Sequence, residues 1–322
     1  TRRIVRFTFA VEGIGALILS ILFAFDRPVH EAIWHGVFHS VAAFCNAGFD
    51  LQGGFQSMVP YQGSLVVSGT LMVLIQAGAL SWVFFADLGS KRRWRTLAMD
   101  TKLVCIVHGV LLVFGAGLFL TAEWNATLQD VPLVQRPMVA AFQSVAARSA
   151  GINTVNFAEV TSIVLFAWLG IMFIGGASGS TAGGLKLATV GVIGLAVAAT
   201  LRGQPQPQFF GKSVPSILVY RAMAVVTLMF VAHFVSTLAL VTTEHFYGRD
   251  HSFLAMLFET MSAISTTGLS NGITADLSSP GKVILVATMV FGLVGPLTVA
   301  YALQARQRIV RHRFPEEQIR IG

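Results

Sequence analysis

Three short stretches carry the chemistry of this chain: Asn46-Ala47-Gly48-Phe49, Ser149-Ala150-Gly151-Ile152 and Thr266-Thr267-Gly268-Leu269. None holds an acid, a base or a thiol, so what they offer is backbone oxygen. Glycine permits φ > 0, which lets successive carbonyls point the same way. Rings of such carbonyls replace the hydration shell of a monovalent cation. A Phe (Phe38, Phe142, Phe258) lies ten, nine and ten residues before the three glycines, and a bulky apolar residue follows each. A tight turn between helices would explain any one of them; the same turn three times in the same place points to a shared task. A fourth stretch is different. Gly175-Gly176-Ala177-Ser178-Gly179-Ser180-Thr181-Ala182-Gly183-Gly184 has five glycines and three hydroxyls, between apolar residues 157–174 and 185–201 in which Lys186 is the one charge near the break. That run exceeds the roughly 20 residues of one membrane crossing. It reads as a helix broken inside a bilayer, where irregular backbone must be buried in protein or line a water-filled cavity.

The elements that position these stretches are membrane spans. Only 11% of the 322 residues are charged, against about 25% in a soluble domain, and mean hydropathy is +0.71. Long apolar runs cover residues 4–25, 64–85, 103–121, 157–174 with 185–201, 217–241 and 283–303. Three shorter ones, 32–45, 132–147 and 253–265, are too short to span and are expected to be re-entrant half-helices. Long, short, long recurs three times, an internal repeat with units at 1–95, 96–212 and 213–322. The expected fold is an all-α polytopic membrane protein of tandem helix–pore helix–filter–helix repeats.

With both termini placed in the cytoplasm, sixteen of the 22 Lys and Arg fall inside and five outside, Arg148 among the latter. That is the positive-inside bias, and it explains the +7 net charge without a nucleic-acid partner. Ten of the fifteen acids, including Glu123, Glu244 and Glu259, fall on the outer half. A negative mouth there would concentrate cations. Two cysteines, Cys45 and Cys105, give no disulfide framework.

Other chemistries fit less well. Gly176-Ala177-Ser178-Gly179 matches the G-x-S-G of intramembrane serine proteases, with His233 as a candidate base, but a Gly/Ser-rich run meets that pattern by chance. The run before Lys186 lacks the G-K-[ST] order of a phosphate loop. An alternating-access cation symporter also uses broken helices, though inverted rather than parallel repeats would be expected. Glu12 is read as a buried partner, and His39 and Gln143 as braces of the filter rather than ion ligands. Lys186 is read as a cation tethered near the cavity.

The tripled motif resembles the membrane subunit of the Trk/Ktr superfamily of potassium transporters, whose members carry four repeats related to potassium channels. The resemblance implies that the three glycine motifs are the filters of the second, third and fourth repeats, and that the first repeat is absent from this chain. It implies that Gly175 to Lys186 is an intramembrane gating loop in the third repeat. The tail Arg313-Phe314-Pro315-Glu316-Glu317, ending Ile321-Gly322, is similar to the Ktr branch. The family usually carries an Arg in the last span, facing the loop; here Gly292-Leu293-Val294-Gly295-Pro296 puts Leu293 in that place. The function implied is channel-like K+ uptake across the cell (inner) membrane, with Na+ as a second transported or coupling ion. No enzyme activity and no covalent cofactor are implied. The implied partners are lipid, a second copy in a homodimer, and a cytosolic ring of nucleotide-binding regulatory subunits. One glycine per filter, against two in potassium channels, implies moderate rather than absolute K+ selectivity.

Overall fold

The computed structural model describes residues 2–295 apart from Phe55 and Arg92. The tail 313–322 and the inner basic residues 306–313 lie outside the described residues. Ten helices are described. They are α1 (Arg2–Phe23), α2 (Val29–Phe44), α3 (Leu65–Ser90), α4 (Met99–Ala122), α5 (Arg136–Ala146), α6 (Ser162–Phe173), α7 (Leu187–Leu201), α8 (Ser216–Phe246), α9 (Phe253–Ile264) and α10 (Ser279–Val294). A two-residue hairpin, β1 (Gln208–Phe209) with β2 (Lys212–Ser213), joins α7 to α8.

Local sequence sets the boundaries. Ser64, Ser252 and Ser278 accept a backbone N–H of the first turn of α3, α9 and α10, which satisfies a donor that the helix itself cannot. Prolines sit in the first turn of α5 and α10, where a missing N–H costs nothing. Helices α1, α3, α4 and α8 are long and apolar enough to cross a membrane. Their outward faces carry Phe9, Leu17, Val73, Val113, Phe230 and Phe234, all exposed. In a bilayer those side chains meet lipid.

Packing groups the helices. α1 packs on α2 and α3, α4 on α5, α6 and α7, and α8 on α9 and α10. The groups meet where α3 touches α5, α6 touches α9, and α7 touches α8. Two apolar clusters lie at those seams, one around Phe119, Trp168, Phe258 and Ile264, the other around Leu19, Phe23, Leu71 and Phe142. The half-helices α5 and α9 are therefore largely buried among longer helices, while α2 buries one face and leaves Ile33, Trp34 and Val37 exposed on the other.

Several elements depart from the sequence expectation. Residues 157–161 are not helical; Thr161 donates its N–H (2.9 Å) and hydroxyl (2.6 Å) to Glu123 Oε1, and α6 starts only after it. Helix α8 runs on to Phe246, beyond the expected residue 241. Helix α3 is itself broken, at Ser81 (φ 68°, ψ 155°). The last apolar run, 283–303, is described only as far as Gly295.

Candidate ion pathway

Each half-helix ends on its glycine motif, and the three motifs share one backbone pattern. The residue two before the glycine is left-handed in each case: Asn46 (φ 51°), Ser149 (φ 62°) and Thr266 (φ 50°). So is the glycine: Gly48 (φ 73°), Gly151 (φ 67°) and Gly268 (φ 87°). Alternating left-handed residues bring the carbonyls of a short stretch to one side, and only at the glycines is that free of steric cost.

The three stretches converge. A Cβ built on Gly151 would lie 2.6 Å from the Thr267 carbonyl oxygen, 3.0 Å from Gly48 Cα and 3.2 Å from Gly268 Cα. One built on Gly48 would lie 3.2 Å from the Ala150 carbonyl oxygen. The glycines thus form an arc with Gly151 in the middle. Ser149 Oγ donates to the Ser265 carbonyl (3.2 Å), tying the middle stretch to the last. Ala150, Ile152, Thr267 and Leu269 are buried. Phe49 is not; it is 69% exposed at the free end of the arc, where among the described residues nothing covers it. The C-terminal ends of α2, α5 and α9 all face this arc, and each adds partial negative charge favourable to a cation.

Residues Gly175 to Lys186 run beneath. Ile174 and Leu185 form an isolated parallel bridge. Gly175 N–H donates to Leu185 O (2.8 Å), and Leu187 N–H to Gly176 O (3.0 Å). The broken turn of α3 receives the loop: Ala177 N–H donates to Ala79 O (2.8 Å) and Thr181 N–H to Gly78 O (3.3 Å). The break at Ser81 frees those carbonyls. Thr181 Oγ1 also accepts from Asn46 Nδ2 (2.8 Å) and donates to Phe44 O (3.1 Å). On the other side, a Cβ on Gly183 would collide with the Thr266 side chain. The loop therefore touches the first and last glycine stretches directly. Ala182 is buried, Ser180 half-buried, and Ser178 and Gly179 point outward as its exposed tip.

A cavity of about 320 Å³ adjoins the loop, lined by Ser180 to Lys186 and by Gly292 to Gly295. Leu293 is 76% exposed and faces the loop across this space. Lys186 Nζ donates back to Ala182 O at 2.6 Å, so its ammonium is held within the loop.

The residue profile of the family TrkH, cation transport protein, matches residues 1–308. The chain belongs to that family. It is 32% identical to the potassium/sodium uptake protein NtpJ of Enterococcus hirae, covering 99% of this chain and 71% of that protein. It is 33% identical to the Ktr system potassium uptake protein B of Vibrio alginolyticus, covering 100% of this chain and 70% of that protein. The crystal structure of the potassium transporter TrkH from Vibrio parahaemolyticus superposes with a TM-score of 0.71 at 18% identity, over 90% of this chain and 61% of that one. That likeness establishes the helical membrane fold. The TrkH family is one of multi-pass transporters, not enzymes. Ser178 is exposed while His233 is buried on α8, and among the described residues no hydrogen bond joins them.

In this TrkH-family chain several charges lie elsewhere than their sequence positions suggest. Glu123 and Glu244 are fully buried rather than part of a solvated mouth. Glu123 accepts from Thr161 and Thr127, and Glu244 from the Ser278 N–H and hydroxyl (2.5 Å). Each holds the start of the helix that follows its filter. Glu259 is buried too. Arg148, counted among outer basic residues, is buried directly before the middle glycine stretch and donates to His108 Nδ1 at 2.6 Å. Glu12 is buried on α1, its Oε1 3.8 Å from Cys45 Sγ.

Proposed function

We propose that this chain builds three walls of a K+ uptake pore, with repeats at 1–95, 96–212 and 213–322. Backbone carbonyls of 46–49, 149–152 and 266–269 take the place of the ion's water. The carrying observation is the convergence of three left-handed glycines, each just beyond the end of a half-helix. A four-sided filter needs a further wall on the open side between Gly48 and Gly268. The names of the relatives, which take up potassium or potassium and sodium, support K+ as the principal ion with Na+ as a second. Repeats that all run in the same long, short, long order favour a pore over a carrier that alternates between two faces. Single-channel currents would distinguish the two.

Gly175 to Gly184 with Lys186 form the gate below the filter, and Leu293 faces it where a cationic barrier would stand. The inner side, with both termini, is cytoplasmic. Assembly is as a membrane homodimer above a cytosolic ring of nucleotide-binding subunits. The test is uptake of K+ and Na+ by the full-length protein in vesicles. Gly268→Ser adds a side chain at φ 87° and is expected to lower the K+/Na+ ratio. An unchanged ratio would remove Gly268 from the filter.

A further inference from the structure

The chain leaving each filter is tied back to its own half-helix by one side chain, and the three side chains differ in kind. The tie always lands three residues beyond the filter glycine. Leu51 N–H donates to His39 Nε2 (3.3 Å), Gln143 Nε2 donates to Thr154 Oγ1 (2.9 Å), and Asn271 N–H donates to Glu259 Oε1 (3.0 Å). His39, Gln143 and Glu259 are all buried. Each follows the Phe of its half-helix and precedes a hydroxyl residue, Ser40, Ser144 or Thr260. They occupy one structural position.

Two of the three, His39 and Glu259, have further partners. His39 Nδ1 donates to the His35 carbonyl (2.7 Å), which leaves the Nε2 lone pair for Leu51. Glu259 also accepts the hydroxyls of Ser270 (2.6 Å) and Thr274 (2.7 Å). The inner end of each filter carries a backbone bond to the same half-helix, beside the side-chain contacts of Asn46, Ser149 and Ser262. Ala47 N–H donates to Ala42 O (2.9 Å), Thr267 N–H to Ser262 O (2.9 Å) and Ala150 N–H to Ala146 O (3.2 Å). The middle bond reaches back four residues, the others five. That absorbs the shorter spacing from Phe142 to Gly151 and keeps Gln143 level with Thr154.

We infer that His39, Gln143 and Glu259 are positioning residues for ion selectivity: each ties the outer end of a filter, three residues past its glycine, to that filter's own half-helix. The inference rests on the K+ reading above. Carbonyls discriminate between cations through the number and placement of oxygens around the ion, and a site held at one end only loses that placement. The chemistry of the tie is interchangeable, as imidazole, amide and carboxylate all serve; its landing point is not.

Gln143→Leu and Thr154→Val each remove one half of one tie. In the full-length protein, with K+ and Na+ uptake measured together, each is expected to lower the K+/Na+ ratio roughly tenfold, a change of about 1.4 kcal/mol. The double variant is expected to fall no further than the worse single, as for groups that act only on each other. Thr154→Val keeps the shape of threonine, so it still reports if a leucine variant fails to reach the membrane. Glu259→Gln keeps an acceptor oxygen and His39→Gln puts one in place of Nε2, so both should retain more of the ratio than Glu259→Leu and His39→Leu; a packing role would not favour the polar replacement. Hydrogen exchange at the Leu51 and Asn271 amides should quicken in the leucine variants and much less in the glutamine ones. That measurement needs no transport, so it judges the ties even if the wild type carries no K+, a result that would instead end the K+ reading. Wild-type ratios in conducting variants, additive effects in the double variant, or unchanged amide exchange would each overturn the inference.

Discussion

Around Gly48, Gly151 and Gly268 the chain solves one problem three times; between Gly175 and Gly184 it solves another once. At the filters the backbone repeats to within a few tens of degrees in φ, while the side chains that hold it change from His39 to Gln143 to Glu259. At the loop nothing repeats. One helix of its kind is opened between α6 and α7, and its amides are received by α3 at Gly78 and Ala79. A selective site needs near-identical walls, because every carbonyl faces the same ion. A gate needs one wall that moves. The difference predicts that filter substitutions change which ion passes, and loop substitutions change how much passes.

The largest effect is expected at Gly151. Its left-handed backbone costs any L side chain about 1–2 kcal/mol, and its Cβ would sit 2.6 Å from the Thr267 carbonyl oxygen, an overpacking worth about 1–3 kcal/mol more. Gly151→Ala is expected to cut K+ uptake by roughly a hundredfold and to lose K+/Na+ discrimination in what remains. Retained discrimination would mean that the arc of glycines is not the filter.

Leu293 comes next, on the gate side. An Arg there would place a fixed charge in the cavity that Ser180 to Lys186 also line. Two like charges roughly 10 Å apart repel by about 1.7 kcal/mol at an effective dielectric constant of about 20. Leu293→Arg is expected to lower K+ flux roughly tenfold with the K+/Na+ ratio kept; each extra kcal/mol of barrier counts about fivefold. Unchanged flux at rest would remove Leu293 from the gate.

Thr181 tests the seam between the two regions, since its hydroxyl binds Asn46 and the Phe44 carbonyl. Each bond contributes about 1 kcal/mol. Thr181→Val should loosen the loop and raise resting K+ leak about tenfold, with a smaller change in ratio. A lost ratio with normal leak would reassign Thr181 to the filter.

The two regions were unequally legible. The turns after α2, α5 and α9 could be placed from Phe-to-Gly spacing alone, because a glycine at φ > 0 leaves a mark in sequence. The opened helix could be placed because glycines in an apolar run have no other use there. The α3 break could not. Ser81 is one of several small polar residues in α3, with Ser68 and Thr70, and what singles it out is the loop arriving from a hundred residues away. Glu123 and Glu244 read as solvated loop acids by composition; only the fold brings Thr161 and Ser278 to them. The ties from His39, Gln143 and Glu259 lie between. Their residue types conceal the repeat, and their distance from a Phe and a Gly reveals it.

Gly179 sharpens the comparison from its weakest end. Its φ of 74° is as left-handed as that of Gly48 or Gly151, yet a Cβ there would meet nothing within 4 Å. At Gly151 backbone strain and collision act together; at Gly179 strain acts alone. Gly179→Ala should therefore cost only about 1–2 kcal/mol, in the loop's present conformation. If the open state lets residue 179 relax to an ordinary φ, alanine favours that state, and resting leak rises a few-fold with the K+/Na+ ratio untouched. If the loop keeps this backbone while it gates, alanine weakens the protein slightly and leaves leak unchanged. Leak and thermal stability measured on the same variant separate a gate that rearranges at its tip from one that moves as a rigid flap.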